Sequence, residues 1–227
     1  MTIAATLSAL SLTACGALNP TTYRYRMVVN VEAAGRTISG SSIVEISTWR
    51  GSGIPDNALR ERVRGEAAAV KLPSGAVVLV LLNDANYSRI GARLALRAYA
   101  PSFTDLRDEF DPFVRLARLK NHSEIVELPK EGYPMIIKLE RPQDPGSAVL
   151  VDPTNIETYR GHRVFIRSIT IQITRENLEY SISRQFIWWR DYKGKHLDGS
   201  TSRYTDMQSK DFRSHIGPQS FSTEYHR

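Results

Sequence analysis

Apolar and polar residues alternate along much of this chain with a period of two, the pattern of half-buried strands. Tyr23, Tyr25, Met27, Val29 and Val31 fall on one side of the first such segment, and Arg24, Arg26, Val28 and Asn30 on the other. Glu32-Ala33-Ala34-Gly35-Arg36 then predicts a hairpin turn in which Gly35 is free to take a positive φ. Thr37 to Trp49 predicts a second strand with Ile38, Ser42, Val44 and Ile46 turned inward, and Gly51 to Asn57 reads as a loop. Glu66 to Leu72 and Ala76 to Leu82 flank Pro73-Ser74-Gly75, another hairpin signal. Residues Val77 to Leu82 are apolar at every position, as suits a strand covered on both faces. Further strands are expected at Tyr133 to Leu139, at Ala148 to Val151, and at Val164 to Thr174, the last carrying Phe165, Ile169, Ile171 and Ile173. Asp144-Pro145-Gly146 and Asp152-Pro153-Thr154-Asn155 mark turns between them.

The period changes in the middle of the chain. Asp84 to Tyr99 sets Ile90, Leu94 and Arg97 at helical spacing, with Asp84 or Asn86 as cap and Pro101 as the stop. Thr104 to Lys120 predicts a second helix or a pair of helical turns, interrupted at Pro112. The expected fold is mainly β (α+β), a β-sandwich or open barrel, in one domain over residues 23–190 with a helical insertion at about 84–120. Residues 191–227 are polar, with Gly, Ser and many charges, and read as a loosely ordered tail.

Composition narrows the partners. Hydrophobic residues make up 41% of the 227 positions, enough to bury a core. After Cys15 no run approaches the roughly 20 apolar residues that span a bilayer, so a multi-pass helical membrane protein is not expected. The net charge of +6 is spread along the chain, with Arg60, Arg62 and Arg64 interleaved with Glu61 and Glu66. A nucleic-acid binder would gather its cations into one stripe, so no nucleic-acid partner is expected. A weak attraction to anionic lipid headgroups is compatible with this balance. Cys15 is the only cysteine, which excludes an internal disulfide and any cluster built on several thiolates.

The amino terminus reads as an address. Residues 1–14 are uncharged, apolar and small, like the hydrophobic core of a secretory signal, and they end in Leu12-Thr13-Ala14-Cys15-Gly16. That ending resembles the lipobox of bacterial lipoproteins. The resemblance implies a signal peptide over 1–14, cleavage between Ala14 and Cys15, and diacylglycerol on the Cys15 thiol. Residues 15–22 would then be the lipidated Cys and a linker, with Pro20 preventing helix continuation. Two or three acyl chains hold a protein stably at a membrane where one does not. Gly16 stands where enterobacterial inner-membrane lipoproteins carry Asp, which points to the outer membrane. The first charged residue is Arg24, whereas signal peptides open on Lys or Arg; a start codon placed too far downstream would account for this. The alternative reading is a cytoplasmic protein whose amino-terminal helix buries a free Cys15.

Tyr133-Pro134-Met135-Ile136-Ile137, Asp144-Pro145, Val151-Asp152-Pro153 and Ser168-Ile169-Thr170-Ile171-Gln172-Ile173-Thr174 resemble a family of uncharacterised proteobacterial proteins, some with lipoprotein signals. The resemblance runs from Tyr25 to about Trp189 and implies no activity. Members often carry Leu-Pro-Trp-Leu near the end, where this chain has Phe186-Ile187-Trp188-Trp189.

Candidate chemistry is sparse. There is no Gly-x-Ser-x-Gly, no phosphate-binding Gly-rich loop and no His-Glu-x-x-His. His122, His162, His196, His215 and His226 include no pair three to five residues apart, so no local metal site or resident cofactor is expected. Asp144 and Asp152 invite a paired-carboxylate reading, as in a periplasmic hydrolase acting on cell-wall glycan, but each precedes Pro and more simply opens a turn. Arg184, Phe186, Trp188, Trp189, Arg190 and Tyr192 are the densest aromatic and cationic group. Trp188, Trp189 and Arg190 could bind a ligand by stacking on sugar rings; the alternative is a final strand closing the core. The functional expectation is a non-catalytic binding or structural module of the cell envelope, held at the membrane through Cys15, with an envelope protein or the cell wall as partner.

Overall fold

The structure, a computed structural model, describes residues 20–51, 59–102, 112–201 and 210–226. Cys15, the signal segment, the loop expected after Gly51 and the start of the second helix at Thr104 lie outside the described residues. The fold is mainly β with a few helices, as the alternation predicts. Among the described residues ten strands form two antiparallel sheets. They are β1 (Thr21–Ala33), β2 (Arg36–Arg50), β3 (Leu59–Gly65), β4 (Ala68–Lys71), β5 (Val77–Val80), β6 (Val126–Glu127), β7 (Ile136–Leu139), β8 (Ala148–Leu150), β9 (Glu157–Tyr159) and β10 (His162–Thr174). The helices are α1 (Gly91–Tyr99), α2 (Pro112–Leu119) and the single turn α3 (Ile182–Gln185).

The large sheet has the order β3-β2-β1-β10-β6, with β9 also paired to β10, and the small sheet the order β4-β5-β7-β8. The β1–β2 hairpin turns on Ala34 and Gly35 at φ 50° and 75°. Positive φ at both central residues is the twist that suits a two-residue hairpin. β3 went unread in the sequence because its residues, Leu-Arg-Glu-Arg-Val-Arg-Gly, show charge rather than alternation. It is an edge strand, where charged side chains are favoured because they block further pairing.

The core has two compartments. In the first, Tyr25, Met27 and Val29 of β1, Val44 and Ile46 of β2 and Ile169 and Ile171 of β10 face Val70, Val78 and Val80 of the small sheet. Leu94, Ala98 and Tyr99 of α1 and Leu116 and Leu119 of α2 join this compartment, so the helical insertion caps the space beside the sheets. The sheets meet along part of their length and do not close into a barrel or a complete sandwich. They come into close contact at Gly40 of β2, opposite Val29, where an added Cβ would lie 2.0 Å from the Ala69 carbonyl oxygen. Gly40→Ala should therefore force backbone apart and cost about 1–3 kcal/mol. Urea unfolding would show this as a lower midpoint at constant slope; a midpoint equal to wild type would mean the sheets separate freely.

The second compartment lies on the other face of the small sheet. Val77, Leu79, Leu81, Ile137 and Leu139 pack there against Ile182, Phe186, Trp188, Trp189, Leu197, Ile216 and Phe221. This corrects the expectation of a loose tail for the described residues 191–201 and 210–226: Leu197, Ile216 and Phe221 are buried. Its backbone is also tied in, with the Ala67 N–H donating to the Phe221 carbonyl at 2.7 Å and the Leu82 N–H to the Ser220 carbonyl at 3.0 Å. A few apolar residues spaced far apart among polar ones suffice to cover a sheet face, and no local period announces them.

Candidate functional site

Trp188 and Trp189 are buried rather than displayed, 5% and 6% exposed, and they lie on a short 3-10 turn rather than on a closing strand. Phe221 meets both indoles edge-on, at ring separations of 5.9 and 6.1 Å. Phe186 and Tyr192 take further positions around Trp188, whose indole N–H donates to the Pro142 carbonyl at 2.9 Å. These indoles are core residues, and the expectation that they stack on a ligand is corrected. Arg190 alone of that trio is exposed.

The paired-carboxylate reading fares similarly. Asp144 accepts from the Arg141 guanidinium at 2.6 Å and from the Gly146 N–H at 2.9 Å. The Arg141 hydrogen bond is the main reason its carboxyl sits below the usual range. Asp152 is exposed and accepts from the N–H and hydroxyl of Thr154, which lower its pKa. Each aspartate organises its own turn, and a general acid would need its pKa moved the other way.

His122 is clipped to Glu124, with its Nδ1 2.6 Å from Oε1 and its ring 5.1 Å from that of Tyr99. It borders an open groove of about 900 Å3 between the end of α2 and the end of β10, where Lys120 and Arg175 face Glu176. Charges of both signs and an open shape select no ligand. Among the described residues no three His, Cys, Asp or Glu gather closely enough to hold a metal ion.

Glu66 is a buried carboxylate that sequence reasoning missed, because its neighbours come from distant parts of the chain. It stands where the chain passes from β3 to β4 and is 2% exposed. Its oxygens accept from the Ile182 N–H at 3.0 Å and from the Ser181 N–H, and Ser222 adds a side-chain hydrogen bond. Burial raises its pKa against these bonds. A polar cavity of about 120 Å3 lies beside it, lined also by Arg26, Ser42 and Glu179. With its acceptor positions occupied by backbone, Glu66 serves to fasten α3 to the strand crossover.

A cleft at the far end of the large sheet is different, because it gathers cationic side chains from two separate elements. β10 changes register here: Ser168 lies opposite Asn30 but Ile166 lies opposite Val31, leaving Arg167 as an extra residue in a bulge. The bulge lets Val164 and Ile166 point inward before it and Ile169 and Ile171 after it. Arg163 and Phe165 therefore point outward, and Phe165 does not share the inner face with Ile169 and Ile171. The Arg163 guanidinium lies 5.1 Å from the Phe165 ring centre. Lys130 reaches the same cleft from a 3-10 turn, and Tyr133 forms part of its floor. Burial raises the Tyr133 pKa. The volume is about 290 Å3.

Comparison with known proteins places none beside this chain: no family model, no curated protein and no solved structure matches it.

Proposed function

We propose that this protein is a bacterial envelope lipoprotein whose folded body binds a partner rather than catalysing a reaction. The observation that carries the reading is Leu12-Thr13-Ala14-Cys15-Gly16, in which a lone thiol follows an apolar, uncharged stretch. A diacylglycerol on Cys15 would hold the body at the membrane, and Gly16 in the place of Asp favours the outer membrane. Only Gly16 to Pro20 separate the thiol from β1, which limits the tether to roughly 20 Å at about 3.5 Å per extended residue. The body would thus stay close to the bilayer. The preference for binding over hydrolysis rests on Asp144 and Asp152, whose carboxyls are held in separate turns with lowered pKa values.

Metabolic labelling with an alkynyl fatty acid in the native host tests the anchor. Wild type should incorporate the label and fractionate with membranes, whereas Cys15→Ser should lose the label entirely. An unlabelled wild-type chain with an intact amino terminus by mass spectrometry would sink the lipoprotein reading and leave the cytoplasmic one.

A further inference from the structure

We infer that the cleft formed by Lys130, Arg163, Phe165 and Arg167 is a binding site for a phosphate group carried on a small ring-bearing body, such as a sugar phosphate. This deepens the reading of the folded part as a binding module and stands independently of the lipid anchor.

Among the described residues three cations line this cleft and no carboxylate does. They come from two separate elements, β10 and the turn before Tyr133, so the convergence is tertiary rather than a run of like charge. Glu127 and Glu131 stand close enough to act on the Tyr133 hydroxyl without lining the cleft, and two other acids are engaged elsewhere. Glu32 lies 3.8 Å from one Arg167 nitrogen and accepts from the Thr37 hydroxyl, and Asp152 is occupied by Thr154. One Arg167 nitrogen is spent on Glu32 and Thr37, and a guanidinium has further N–H groups to offer.

A single carboxylate is matched by one guanidinium fork. Three cations suit a group carrying nearly two negative charges and several acceptor oxygens, which is a phosphate monoester. Phe165, whose ring holds the Arg163 guanidinium 5.1 Å from its centre, adds apolar lining beside the cations for the rest of the ligand. The volume agrees, since about 290 Å3 is at the lower edge of the roughly 300–1,000 Å3 typical of small-molecule sites and exceeds what a bare phosphate needs. The bulge that sets Arg167 is a device that commonly re-aims side chains beside functional sites.

The test uses the full chain carrying Cys15→Ser, titrated calorimetrically with glucose 6-phosphate, inorganic phosphate and glucuronate at low and physiological salt. Glucose 6-phosphate should bind saturably, at least ten-fold tighter than glucuronate, with inorganic phosphate between them. Arg163→Gln and Arg167→Gln should each weaken binding about ten-fold and Lys130→Gln by less, while Arg190→Gln, remote from the cleft, should leave it unchanged. Arg163→Lys should recover part of the loss, because charge returns without the fork. Vesicles containing phosphatidylglycerol form a separate arm: binding to them that Arg163→Gln and Arg167→Gln abolish, with no binding of glucose 6-phosphate, would replace the soluble ligand by a lipid headgroup and overturn the inference as stated. Equal affinity for glucuronate, absence of saturable binding, or wild-type affinity in both arginine variants would also overturn it. None of these outcomes alters the fatty-acid labelling, so the two readings fail separately.

Discussion

A chain ended at Ser209 should lose its cooperative unfolding transition and much of its solubility. Residues after 209 supply Ile216 and Phe221 to the second core compartment, and their removal would bare Leu79, Leu81, Ile137 and Leu139. Phe221 is fully buried and contacts both Trp188 and Trp189, so Phe221→Ala alone should cost about 3–5 kcal/mol. The segment is also held by polar contacts, since Arg213 pairs with Asp211 at 2.7 Å and donates to the Gly146 carbonyl at 2.7 Å. Circular dichroism melts and near-ultraviolet tryptophan signals of wild type, Phe221→Ala and the shortened chain decide the matter. A shortened chain melting as wild type would restore the loose-tail reading and leave the far face of the small sheet without its cover.

Glu66→Ala should cost about 3 kcal/mol. The substitution leaves the buried Ile182 N–H and the partly buried Ser181 N–H without their acceptor, and a buried orphan carries a penalty of roughly 1–3 kcal/mol. Glu66→Gln should be milder, because an amide oxygen can still accept from these groups. The same carboxyl predicts a pH dependence. Burial, with Glu224 adding repulsion, raises its folded pKa above its value in the unfolded chain. The folded state then binds the proton more tightly, so this contribution to stability is complete below the unfolded pKa and is lost as pH rises through the folded one. Urea titrations at a series of pH values should show that decline in wild type and a flatter profile in Glu66→Gln. Identical profiles, or a Glu66→Ala chain as stable as wild type, would remove Glu66 from its fastening role.

Both predictions concern contacts between residues far apart in sequence, and that marks where sequence reading stops. The alternation of Tyr23 to Val31 fixed the inner face of β1, because a strand buried on one side must repeat with period two. The apolar run Val77 to Leu82 announced a strand covered on both faces, which the two core compartments bear out. The hairpin at Ala34-Gly35 and the turns at Asp144 and Asp152 were legible because local backbone chemistry dictates them.

The identity of the cover on the small sheet was not legible. Leu197, Ile216 and Phe221 sit in polar surroundings without helical or strand period, and only their meeting with Trp188 and Trp189 makes them core. For the same reason the sequence left the tryptophans between a ligand platform and a part of the core, and Phe221 packed against them decides for the core. In the candidate cleft, Arg163, Phe165 and Arg167 share one strand, and the switch of parity between Val164/Ile166 and Ile169/Ile171 is written in the residues. Lys130 belongs to that group only because the chain returns past β10. Sequence alone therefore determined which faces are apolar and where the backbone turns, both short-range consequences of side-chain type. Tertiary structure decided which distant groups share a volume, since burial and electrostatics act through space and the chain records only order.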